Sequence, residues 1–174
     1  MPENLHPYVN VENCERLAAY LESLPEGYSN FDMSDFILNT GNLEDQIDYA
    51  KNNGGVHKCG TAACAVGHGP AAGILFPEDK KYWVPHTGAP AWFTYSQLFI
   101  NNSHGARSIA LWSWCFGGDW SLCDDTPHGA AKRLRYLIAN LHKREPIPLY
   151  DGRQFDSFSL HCENTAEFYM ELYS

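Results

Sequence analysis

Two thiols and an imidazole fall within one short stretch, Cys59-Gly60-Thr61-Ala62-Ala63-Cys64-Ala65-Val66-Gly67-His68. Nowhere else do two cysteines and a histidine fall within ten residues. A helix is expected from Thr61 toward Gly69, and on it Cys64 and His68, four apart, share one face. Cys59 stands just before that helix, where unpaired N–H groups and the positive dipole end favour a thiolate. Three chemistries fit these residue types. Cys59 could act as a nucleophile with a distant histidine as base. Cys59, Cys64 and His68, completed by His57 or Cys123, could hold zinc tetrahedrally. Or the thiols could be small packing groups, with His68 satisfied by a hydrogen bond.

The third reading is favoured. Cys-Gly-Thr resembles the Cys-Gly-Ser of papain-like thiol proteases, but no aromatic follows Cys64. The spacing matches no zinc finger or knuckle, and no Cys-x-x-Cys pair occurs. No cofactor is expected, and zinc is the metal such a set would take.

A second cluster runs from Cys115 to His128, with Trp120, Cys123, Asp124 and Asp125. Asp125 with His128 could serve a metal or acid/base role. Asp124, Asp125 and Thr126 precede an expected helix, where carboxylates are stabilised without any further role. Arg133 is a candidate for an anionic ligand, with a solvated basic face beside Lys132 and Arg135 as the favoured alternative. Trp83, Trp92 and Trp120, with Trp112 and Trp114, could line a pocket that stacks on a ring, or simply pack the core.

These groups must be positioned by helices. Asn10 is a candidate cap for a helix over Val11 to Leu24, with Leu17, Tyr20, Leu21 and Leu24 on one face. Phe31 to Ile37 reads as a short helix or turn. Leu43 to Asn52 reads as a helix with Leu43, Ile47 and Ala50 inward. Pro70 must kink or end the small-residue helix. Pro77 to Pro90 reads as loop and offers the best place for a short β segment. Trp92 to Ile100 and Ala106 to Phe116 read as helices, and Gly117-Gly118 ends the second. Thr126-Pro127 is a strong helix start, continuing to Leu141. A last helix is expected over Thr165 to Tyr173. The fold class is therefore mainly α: one compact domain spanning 1–174, of about seven helical segments with little or no β.

With 44% hydrophobic residues, five Trp, ten Tyr and nine Phe, the 174-residue chain has the makings of a sizeable core. The net charge of −9 disfavours nucleic acid and anionic membranes as partners. No apolar run reaches the ~20 residues of a membrane span, and no basic start leads an apolar segment as in a signal peptide. The six cysteines are expected to be reduced, with Cys14 and Cys115 as buried hydrophobes.

Together these stretches resemble a group of uncharacterised phage and prophage proteins. The shared pattern is Phe31 and Met33, then Cys59-Gly60-Thr61 with Cys64 and Gly67, then Leu98-Phe99, Trp120, and Thr126-Pro127 with Ala130-Ala131 and Arg133. Many members of that group carry Trp where this chain has His68, which weakens His68 as a metal ligand. The resemblance implies a viral setting, in the cytoplasm of an infected bacterium. The function expected is an accessory protein that binds a host or defence component, either a protein or a small molecule, without catalysis. A thiol- or metal-dependent enzyme centred on Cys59, Cys64 and His68 is the alternative, and a binding module with a structural zinc site is the third.

Overall fold

The computed structural model describes residues 7–34, 37–38, 43–52, 62–103, 106–118, 120 and 124–141. The mainly helical expectation holds. The described α-helices are α1 (Val11–Ser23), α2 (Leu43–Lys51), α3 (Trp92–Ser96), α4 (Ala106–Phe116) and α5 (Pro127–Asn140), with 3-10 turns at Val66–His68 and Lys80–Tyr82. The expected helix over Thr165 to Tyr173 lies outside the described residues.

α1 and α5 form the frame because both have strong caps and one apolar stripe. The Asn10 side chain accepts from Asn13 N at 3.1 Å, and Thr126 Oγ1 accepts from Gly129 N at 2.9 Å with Pro127 in the first turn. α1 buries Cys14, Leu17, Ala18 and Leu21, the spacing of a core-facing helix. α5 buries Ala130, Ala131, Leu134 and Leu137. The C-terminal end of α1 lies beside the first half of α5. Arg135 donates to both Glu22 carboxylate oxygens at 2.9 Å, and His128 Nε2 donates to Leu24 O at 2.8 Å. α4 also packs on α5.

The start of α1 is tied to the segment after α3. Asn10 N donates to Phe99 O and Asn101 N to Tyr8 O, each at 2.8 Å, flanking a bridge between Val9 and Ile100. Cys14 Sγ reaches Phe99 O at 3.6 Å. Cys14 and Cys115 are fully buried, as their apolar settings implied.

The expected helix over Thr61 to Gly69 does not form. Ala62–Ala63 is instead a short strand, β2, paired antiparallel with β1 (Ile37–Leu38). Ala63 also bridges Phe31, its N–H donating to Asn30 O at 3.0 Å. A single 3-10 turn over Val66–His68 follows. Gly67, Gly69 and Pro70 explain the difference. Each glycine weakens a helix by about 1 kcal/mol, and a proline at 70 clashes with the carbonyl four residues back. In the stretch read as a short helix or turn, Met33 and Ser34 form a turn, preceded by the Phe31 bridge, and Ile37–Leu38 is β1. The β segment expected in the 77–90 loop is a bridge between Trp83 and Pro90.

Residues 63–70 are buried throughout. Gly69 shows how tightly: a Cβ there would lie 2.8 Å from the Phe99 ring and closer still to the Tyr95 hydroxyl. The small residues thus mark a central strand and turn rather than a thin helix. α2 buries Ala50 as expected and Tyr49 beside it, with Ile47 half-buried, whereas Leu43 is 38% exposed rather than inward. Tyr49 anchors this face by donating its hydroxyl to Gly67 O at 2.7 Å.

Candidate functional site

Residues 62–69 hold no α-helix whose positive end could favour a thiolate at Cys59. Cys59 itself, with His57 and Cys123, lies outside the described residues. The two other members of the motif are deep inside. Cys64 is 2% exposed and His68 is 0% exposed. The turn joins them by backbone, His68 N donating to Cys64 O at 3.1 Å.

The His68 ring is enclosed by aromatic side chains from two segments. It stacks on Phe31 with centroids 5.6 Å apart and planes 6° from parallel. Tyr28 lies at 5.9 Å and Tyr20, from α1, at 6.0 Å. Burial pushes the Tyr20 phenol above its ordinary value, and the Tyr28 phenol adds to the rise. Burial likewise raises Tyr49, with Tyr20, Tyr28 and Cys64 contributing. The imidazole therefore sits in a wall of aromatic rings, placed there by the bridge of Phe31 to Ala63 and by the turn at Gly27, whose φ is 77°. Among the described residues, no group of three or more His, Cys, Asp or Glu side chains is placed to hold a metal.

The candidate tryptophans do not form one pocket. Trp83 and Trp92 belong to a cluster around Phe76. Phe76 stacks on Tyr95 at 4.1 Å, Trp92 meets it edge-on at 4.8 Å, and Trp83 lies at 5.3 Å. Trp83 Nε1 donates to Pro77 O at 2.9 Å, and Lys51 Nζ sits 5.5 Å from the centre of its ring. Trp92 is buried, and its Nε1 has no acceptor among the described residues. Tyr95, at the centre, donates its hydroxyl to Ile74 O.

Trp120 and Arg133 belong to the other cluster. Arg133 is 0% exposed, which corrects the expectation of a solvated basic face. Its guanidinium carbon lies 4.0 Å from the Trp120 ring centre. Its Nη1 is 3.4 Å from Asp124 O and 3.7 Å from Asp124 Oδ2. Trp120 is itself held by Nε1 donating to Trp114 O at 2.7 Å, with the two indoles edge to face at 5.5 Å. Gly129 makes this possible, since any Cβ there would collide with the Asp124 carboxylate. Arg133 thus already has a carboxylate and a ring for partners inside the protein.

The expected pairing of Asp125 with His128 is not made. Asp125 Oδ1 accepts from Met33 N at 2.6 Å, while His128 donates to Leu24 O. Burial raises the Asp125 pKa, helped by Asp32 and Asp124 and opposed by the Met33 N–H and Arg133. Thr126 caps the helix as expected and donates its hydroxyl to Asp124 Oδ1 at 2.7 Å. Both residues position segments of the fold rather than each other.

The sequence reading passed over two features. One is the ring shell of Tyr20, Tyr28 and Phe31 around His68, which no single periodicity signals because it draws on separate segments. The other is an exposed apolar pair, Phe93 at 52% and Ile109 at 51%. No family model, no curated protein and no solved structure matches the chain. No helix among the described residues is long and apolar enough to cross a membrane.

Proposed function

We propose that this is a phage-encoded accessory protein that acts by binding a host or defence component, with the Cys-His motif serving as scaffold. The enclosure of His68 by Tyr20, Tyr28 and Phe31 carries the reading. General base and nucleophile alike must reach the substrate atom within hydrogen-bond distance, directly or through one water. Neither Cys64 nor His68 offers a dissolved substrate that access. The second candidate centre supports the same reading, because Arg133 is fully buried with its guanidinium over Trp120 and Nη1 beside Asp124. The resemblance of Phe31, Met33, the Cys59–Gly67 motif and the Thr126–Arg133 helix start to phage proteins supplies the setting.

The test uses affinity-tagged protein in an infected bacterium. The expected result is one host component recovered in fixed ratio, with the complex rebuilt from the two purified proteins and kept by Cys64→Ser. Turnover of a substrate by purified protein, abolished by Cys59→Ser without loss of fold, would replace this reading with the thiol-enzyme alternative.

A further inference from the structure

The segment after α1 crosses the Val66–His68 turn with one side to solvent. Phe31 and Met33 are buried and Tyr28 is half-buried, whereas Ser29 and Ser34 are exposed. Tyr28 and Phe31 set their rings 5.9 and 5.6 Å from the His68 ring. The backbone is tied down at Ala63, where Asp32 N donates to Ala63 O at 3.1 Å and Ala63 N donates to Asn30 O at 3.0 Å. Met33 N then donates to Asp125 Oδ1 at 2.6 Å, 92 residues away in sequence. Gly27 leads into the segment with φ 77° and open space where a Cβ would stand, so the chain can pivot there. The α1–α5 frame is held by stripes of buried leucine and alanine. This segment is held by backbone bonds at Ala63 and Asp125 and by ring contacts, the kind of attachment that opens at lower cost than a core helix.

Asp125 grips the segment against like charge. Burial raises its pKa most, and the carboxylates of Asp32, on the segment itself, and Asp124, just before α5, add to the rise. The Met33 N–H and Arg133 of α5 oppose it. His128, on the first turn of α5, is turned away to Leu24 O. A carboxyl raised in the closed arrangement holds its proton more tightly there than in water. Closing therefore strengthens as pH falls through the raised value, and the gain is complete below the ordinary value of 3.8.

We propose that residues 28–34 form a strap that opens and closes as a unit over the His68 turn, separately from the α1–α5 frame, with Asp125 as a latch that protonation tightens. Closed, the strap completes the ring shell of His68. Open, it uncovers the His68 ring and the Ala63 backbone.

Hydrogen exchange of the full chain tests this, read amide by amide by NMR and divided by the intrinsic rate at each pH. The Asp32, Met33 and Ala63 amides should exchange together and faster than the Leu17 and Leu21 amides of α1. Low urea should accelerate the α1 amides but hardly the strap, because strap opening exposes little surface. Asp125→Ala should lower the protection of the strap amides at least ~10-fold, since it removes a charged acceptor. Asp125→Asn keeps an acceptor without the charge, so it should raise that protection at neutral pH. Wild-type strap protection should rise from about pH 7 to about pH 4, and Asp125→Asn should lose that rise. Strap amides that share the rate and urea dependence of α1 would overturn the proposal. So would indifference to both Asp125 variants, or wild-type protection that falls in acid. Should Asp125→Ala fail to fold, Asp125→Asn and the wild-type pH profile decide.

Discussion

The interior around His68 and the outer face of α3 and α4 invert the usual expectation of where chemistry lives. Among the described residues, the candidates Cys64, His68 and Arg133 are sealed from water. Phe93 and Ile109, which carry no reactive group, are about half exposed. The contrast teaches that residue type alone does not mark a functional site. A cysteine four residues from a histidine suggests a reactive face only if a helix presents that face to a cleft. Here a strand and a 3-10 turn carry both residues into the centre. An exposed phenylalanine, by contrast, costs solubility unless something covers it.

The contrast predicts a steep gradient of mutational cost from inside to outside. Arg133→Ala should cost about 3–5 kcal/mol in urea unfolding, since it empties a buried site and strips the Asp124 carboxylate of its partner. Arg133→Lys should recover only part of this, because an ammonium cannot lie flat on Trp120. His68→Ala should come next, at about 3 kcal/mol, through the cavity left between Phe31, Tyr20 and Tyr28. Phe93→Ser on the outer face should change monomer stability by no more than about 0.5 kcal/mol. If Phe93→Ser were the more damaging variant, the division between interior and surface drawn here would be wrong.

The smallest effect concerns the exposed ion pair that joins α1 to α5. Arg135's hydrogen bonds hold the Glu22 carboxyl below its ordinary value, with partial burial opposing. A carboxylate lowered in the folded state stabilises above its unfolded pKa and loses that contribution as pH falls through the folded value. Glu22→Gln should therefore cost less than about 1 kcal/mol near neutrality, as exposed pairs do. Thermal melts of wild type and variant should draw together as pH falls below 4.5 and converge once it has passed the lowered folded value. A gap that persisted there would assign the contact to packing rather than charge.

Much of the frame was legible because its signals are local. Asn10, Thr126-Pro127 and Gly117-Gly118 mark helix ends through their own backbone chemistry, and α1, α4 and α5 form within a residue of where those signals put them. The 61–69 segment was misread because its alanines favour a helix locally, while the partners that pull it extended, Phe31 and Ile37, lie far back in the chain. The burial of Arg133 had a local signal that its charge obscured. It stands three residues after Ala130 and four before Leu137, on the apolar stripe of α5. What no spacing could show is that Asp124 and Trp120 would be folded back to receive it. The Asp125 and His128 pairing failed for the same reason, since each is engaged by a segment remote in sequence.

The most direct test of the claim that the Cys-His motif is scaffold is residue-resolved alkylation of the native protein, with labelled cysteines located by mass spectrometry. Burial pushes the Cys14 thiol up to about 12 and raises Cys115 well above its ordinary value, so both serve as internal standards of inaccessibility. The account predicts that Cys64 resists labelling as they do and becomes reactive only when denaturant unfolds the chain. Rapid alkylation of Cys64 in the folded protein would place it in a reachable cleft and contradict the account.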